Sequence, residues 1–180
     1  MSTPASPRMS DRVRKDPSQS MTAEECAERV KAELQDTWLP LIYGNRVLKT
    51  RTRSYHFGPL PTRPVTEIQH TLLGVELKIG RRRLSCPDLA TARYLAIFAR
   101  VGCQVVAVPY DITKTSRLAD ELESSWHRML LLADRTAAEE SDRFKAKVHG
   151  LLIAKLRGEI ETAGPGTSVP EFKQNTRQRT

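Results

Sequence analysis

The chain is poor in cysteine and in aromatic side chains: three cysteines, Cys26, Cys86 and Cys103, and 6% Phe, Trp and Tyr in 180 residues. An odd count without CxxC spacing or neighbouring histidine pairs argues against a disulfide framework and against a zinc site, and fits a reducing cytoplasm. Long apolar runs are also missing. None approaches the roughly 20 residues that cross a bilayer, and the N-terminus lacks the apolar core of a secretory leader, so neither a membrane span nor ordinary secretion is expected. GxGxxG, P-loop and GxSxG patterns do not occur, which leaves nucleotide-dependent chemistry and acyl transfer without a motif.

Acidic charge is short as well. Twenty-nine Lys and Arg face 21 Asp and Glu, a formal net charge of +8 that favours polyanionic partners. The excess is concentrated: Asn45 to Leu84 carries Arg46, Lys49, Arg51, Arg53, Arg63, Lys78, Arg81, Arg82 and Arg83 against only Glu67 and Glu76. Hydrophobic content of 39% suffices for one packed domain, expected over residues 21–162. Residues 1–20 have almost no large apolar side chains and 163–180 are polar and basic, so ordering either would cost entropy with little burial in return; both are expected to be disordered tails. Met21 stands directly before a helix start and is an alternative initiation residue to Met1.

Thr22-Ala-Glu-Glu25 has the form of a capping box with Met21 and Cys26 as staple, and Cys26, Val30, Leu34 and Trp38 form one stripe that Pro40 closes. Arg46 to Phe57 reads as a first strand, and the proline-rich run Gly58 to Pro64 as a loop. In Val65 to Ile79 the period is two: Ile68, His70 and Leu72 share one face, and Val75, Leu77 and Ile79 another, around a turn at Leu73-Gly74. That register pairs Leu72 with Val75, Thr71 with Glu76, Gln69 with Lys78 and Ile68 with Ile79. Gly80-Arg81 is a bend, with Arg82 to Ser85 a short continuation. Ser85 caps a largely buried helix that Gly102 ends. Val105 to Val108 then form an internal strand, joined to the third by a right-handed β-α-β crossover. Two helices follow, Ser116 to about Arg135 and one opened by Thr136, expected to pack as an antiparallel pair whose apolar faces could extend into a homodimer.

The order αβββαβ with Glu76-Leu77-Lys78 on the third strand resembles the PD-(D/E)xK nuclease superfamily, from about Thr22 to Asp111. The resemblance implies an α/β fold with a mixed four-stranded sheet, followed here by the C-terminal helix pair. It further implies a divalent cation, Mg²⁺, held by Glu76, with Lys78 orienting or deprotonating the water that attacks phosphorus. The family's other ligand is an Asp on strand two, where the only acid in this chain is Glu67. In the register above Glu67 lies four residues along from Glu76, roughly 13 Å, and a turn at His70 to Leu73 would put the two directly opposite.

The chemistry-bearing residues thus have two readings. In one, Glu76 and Lys78 are catalytic, Glu67 and Glu76 hold metal, and Arg51, Arg53, Arg81, Arg82 and Arg83 bind DNA or RNA. In the other, Glu76 and Lys78 belong to a cross-strand ion-pair face, and the fold serves as a nucleic-acid-binding adaptor or a protein-interaction module without chemistry. His56 and His70 read as core or edge histidines, and His127 and His149 sit on helices without ligand-spaced partners.

Overall fold

The computed structural model describes residues 21–166, so the expected tail at 1–20 and all but residues 163–166 of the one expected at 163–180 lie outside the described residues, and Ala163 ends the last helix. The first helix, α1 (Ala23–Leu34), starts as its sequence dictates. Thr22 Oγ1 accepts the Glu25 N–H at 3.2 Å, the Glu25 carboxylate accepts the Thr22 N–H at 2.7 Å, and Met21 and Cys26 sulfurs meet at 3.4 Å. The helix stops before Trp38 because Gln35 turns to a φ of +46°, and one 3₁₀ turn, Gln35–Thr37, follows. Pro40 then sits in the first turn of a short helix, α2 (Leu39–Ile42), where its missing N–H costs nothing. A π turn over Tyr43–Val47 continues it, so Arg46 to Leu48 are not extended, and β1 is confined to Thr52–His56.

Three strands make an antiparallel meander: β2 (Thr66–Thr71), β3 (Gly74–Ile79) and β4 (Arg82–Cys86). The hairpin turn is Leu72-Leu73, one position before the expected one. Thr71 pairs with Gly74, Gln69 with Glu76, Ile68 with Leu77 and Glu67 with Lys78. Local chemistry decides this. Thr71 Oγ1 accepts the Leu73 N–H and donates to the Gly74 carbonyl, both at 3.2 Å, while Gly74 adopts a φ of +128° that a side chain would resist. Relative to the expected register the strands have slid by two residues, an even number, so every side chain keeps its face.

The stretch after Gly80 is a full strand. β4 takes the second edge of β3, Ile79 opposite Arg82 and Val75 opposite Cys86. With both edges of β3 filled, the strand after the buried helix α3 (Leu89–Val101), β5 (Val105–Pro109), pairs elsewhere: it runs antiparallel to β1, Ser54 opposite Ala107. The described strands therefore form two antiparallel sheets and no parallel crossover, in place of a mixed four-stranded sheet. The cap of α3 is Asp88, whose Oδ1 accepts the Thr91 N–H at 2.7 Å, because Ser85 is still inside β4.

Helix α3 lies between the meander, where Leu77 and Ile79 are buried, and α4 (Ile112–Thr136). Arg93 of α3 fastens that contact, reaching Glu123 at 2.5 Å and Asp120 at 2.7 Å. The last helix, α5 (Asp142–Ala163), is capped by Ser141, not opened at Thr136. It packs most extensively on α1, and Glu159 accepts from both Lys31 at 2.5 Å and Trp38 Nε1 at 2.8 Å. Leu118, Leu122 and Met129 of α4 and Val148, Leu152 and Leu156 of α5 are buried within the chain, where α4 packs on α3 and α1 and α5 on α1.

Candidate functional site

Along β3 the alternation of an extended chain sends Val75, Leu77 and Ile79 toward α3 and Glu76 and Lys78 to the opposite face. The same face receives Glu67 and Gln69 from β2 and Arg83 and Ser85 from β4. Glu67 and Glu76 are diagonal neighbours, a spacing of about 7–8 Å between their backbone positions. The register thus brings them nearer than a turn at Leu73-Gly74 would, yet not directly opposite.

Each acid is matched with a cation. Lys78 Nζ lies 3.6 Å from Glu67 Oε2, and Arg83 Nη1 lies 3.6 Å from Glu76 Oε2. The side-chain amide of Gln69, then Lys78, and at longer range Arg83, hold the Glu67 carboxyl below its usual range. Both pairs are part-exposed, which limits what they contribute to stability. Glu76 Oε2 is buried and has no hydrogen-bond partner among the described residues. No group of three His, Cys, Asp or Glu that could hold a metal ion occurs among the described residues, and the two carboxylates as placed are neutralised by side chains. His56 and His70 are both exposed, His70 at the tip end of β2, so neither is a core histidine.

The three consecutive arginines do not share one face, because alternation along a strand sends neighbours to opposite sides. Arg81 occupies the β3–β4 turn and is exposed. Arg82 stands on the side opposite Arg83 and donates from Nη1 to the Pro59 carbonyl at 3.1 Å, tying down the proline-rich loop. Arg83 is the one beside Glu76.

Arg82 instead reaches the segment that follows β1, its Nη1 standing 3.8 Å from where a Cβ on Gly58 would lie. Arg53, Tyr55 and Phe57 share a face by alternation, and Tyr55 stacks edge-on against Phe57 with ring centroids 5.0 Å apart. Burial pushes the Tyr55 phenol up, the Cys86 thiol adds to the rise, and the nearby Arg82 and Arg53 guanidiniums pull it back. Two of the arginines singled out in the sequence thus lie near enough to the Tyr55 phenol to act on it through charge. A third, Arg51, lies 5.3 Å over the ring of Tyr110, which is half-exposed just beyond β5. Tyr55 and Tyr110 carry no motif. Tyr55 was signalled only by standing two residues from Arg53 in a strand, and Tyr110 is brought to Arg51 by the β1–β5 pairing, which no local pattern encodes.

Compared with known proteins, the chain matches no family model, no curated sequence and no solved structure.

Proposed function

We propose that this protein is a nucleic-acid-binding module that holds a phosphate backbone along Arg51, Arg53, Arg81 and Arg82, with Tyr55 and Tyr110 as its aromatic elements. One observation carries this. In the basic segment both acids are matched by Lys78 and Arg83, and Arg46 is engaged by Glu121, so Lys49, Arg51, Arg53, Arg63, Arg81 and Arg82 have no carboxylate partner among the described residues. A surface that keeps guanidiniums unpaired beside the half-exposed ring of Tyr110 and the partly buried ring of Tyr55 suits a polyanion whose bases stack on aromatic faces.

Binding of a labelled single-stranded or duplex oligonucleotide tests the reading, measured across a salt series. Affinity should fall linearly in log–log form, with a slope of about −3 when four cations engage. A flat response would remove the nucleic-acid assignment.

Glu76 Oε2, buried without a hydrogen bond, favours a second reading: a magnesium-dependent nuclease on the other face of the meander, with Glu67 and Glu76 as ligands and Lys78 as the water-positioning group. It requires Lys78 and Arg83 to leave their carboxylates. Incubating the protein with single-stranded, duplex and branched substrates in Mg²⁺ or Mn²⁺, with EDTA as control, separates the two. Cleavage that Glu76→Gln abolishes supports the nuclease, and binding without cleavage supports the module.

A further inference from the structure

Between the proline-rich loop and α5 lies a cleft of about 800 Å³, a size usual for small-molecule sites. Its walls include Leu60, Pro64 and Val65 on the loop side and Ile153 on the α5 side, and its lining contains Arg63, Arg100 and Arg157 but no carboxylate. His149 also lines it and is matched by Asp134 at 2.9 Å. Two of the arginines are fixed at one end only. Arg100 donates from Nε to Thr66 Oγ1 at 2.8 Å, and Arg157 donates from Nε to the Val101 carbonyl at 3.0 Å. Neither forms an ion pair among the described residues.

A guanidinium anchored at Nε is held in plane while its terminal amines remain donors, which is the arrangement that grips a tetrahedral anion through two parallel hydrogen bonds. The backbone makes room for one of them. Gly102 ends α3 at a φ of +86°, and a Cβ there would stand 2.6 Å from Arg157 Nη2. A side chain at this position would drive the guanidinium out of place.

The geometry points to a binding site for an organic phosphate in this cleft: the phosphate held by Arg100 and Arg157, with Arg63 at its side, and the organic part laid on Leu60, Pro64, Val65 and Ile153. A phosphomonoester of a nucleoside has this division of charge and apolar surface. It could be a free nucleotide or the terminal phosphate of a strand. The site adjoins the surface that carries Arg53, Tyr55 and Arg82 through the loop that Arg82 ties at Pro59, but it uses none of those three side chains and does not rest on the reading proposed for them.

The experiment uses the full chain with inorganic phosphate, adenosine, AMP, and a short oligonucleotide with and without a 5′-phosphate, read by calorimetry and by melting temperature. AMP should bind at least tenfold more tightly than either adenosine or phosphate alone. Preference for the 5′-phosphorylated strand over AMP would identify a strand end, and the reverse a free nucleotide; either supports the site. Arg100→Gln and Arg157→Gln should each weaken AMP at least tenfold. Because both arginines also bond to their surroundings, Gly150→Glu is the independent variant. Gly150 lines the cleft on α5, a Cβ there meets nothing within 4 Å, and glutamate is the better helix former. It should keep the ligand-free melting temperature and lose at least tenfold in AMP affinity by placing a carboxylate among the arginines. Adenosine binding as well as AMP, no AMP binding at millimolar concentration, or unchanged AMP affinity in a folded Gly150→Glu variant would each overturn the assignment. Unchanged oligonucleotide binding in Arg53→Glu, with AMP binding intact, would count against the module reading alone.

Discussion

Tyr94 donates its hydroxyl to the carbonyl of Ala107 at 2.6 Å, and on the same edge of β5 the Ala107 N–H donates to the hydroxyl of Tyr43 at 3.0 Å. Two tyrosines thus take the polar groups that a further strand would otherwise pair. Tyr43 passes the bond on, donating to the Gly164 carbonyl at 2.7 Å. Buried backbone groups need partners, and here phenols close an edge that lies inside the protein.

Removing either phenol should leave one Ala107 group unsatisfied without opening a large cavity. Tyr94→Phe and Tyr43→Phe are each expected to lower unfolding free energy by about 1–3 kcal/mol in urea titrations, with non-additive behaviour in the double variant. Tyr110→Phe, on the surface, is the control and should change stability by less than about 0.5 kcal/mol. A Tyr94→Phe protein as stable as the parent would show the edge to be satisfied otherwise.

Stability should fall on the alkaline side. Burial pushes the Cys103 thiol up to about 12 from an ordinary value of 9.0, and it raises Tyr94 well above 10.0. The folded state therefore keeps these protons where the unfolded chain releases them. The stabilisation they give is complete below about pH 9 and is lost as pH rises from there to about 12, at up to about 1.4 kcal/mol per pH unit for each group. Urea midpoints at pH 7, 9 and 10.5 check the sign, and Cys103→Ala should flatten the earlier part of the decline.

Charge reversal distinguishes the arginines that share a surface from those that only share a sequence run. Arg53→Glu and Arg82→Glu should weaken oligonucleotide binding uniformly across sequences and make the log–log salt slope about 1 to 2 units shallower. Arg83→Glu, on the opposite face beside Glu76, should leave that slope unchanged and instead destabilise the meander by setting two like charges together. Equal effects from Arg82 and Arg83 would mean that the two faces do not bind separately.

Lys78→Ala should cost less than about 1 kcal/mol, since its partner Glu67 is exposed and solvated. Leu77→Ala, one residue away and buried under α3, should cost about 2–5 kcal/mol. Thermal melts of the pair test whether β3 divides into a core face and a solvated face, as its register requires.

How much of this was legible in the chain follows the range of the interactions. The capping box at Thr22, the stop at Gly102, the strand at Val105 and the two faces of β3 depend on residues within a few positions of one another, and the sequence determined them. The even slide of the hairpin kept those faces and changed which acid meets which cation, because the turn was settled by the Thr71 hydroxyl and the backbone freedom of Gly74. Pairing between distant strands was a different matter. That β4 fills the second edge of β3, that β5 turns to β1, and that Tyr43 and Tyr94 close the edge left over are choices among partners with similar local patterns. They are settled together with the packing of α3 on the meander and of α4 and α5 on β5, contacts between residues far apart in the chain. For the same reason the run Arg81 to Arg83 looked like one cationic patch in sequence, whereas strand alternation divides it, and only the tertiary structure set Arg82 against Pro59 and Arg157 over Gly102.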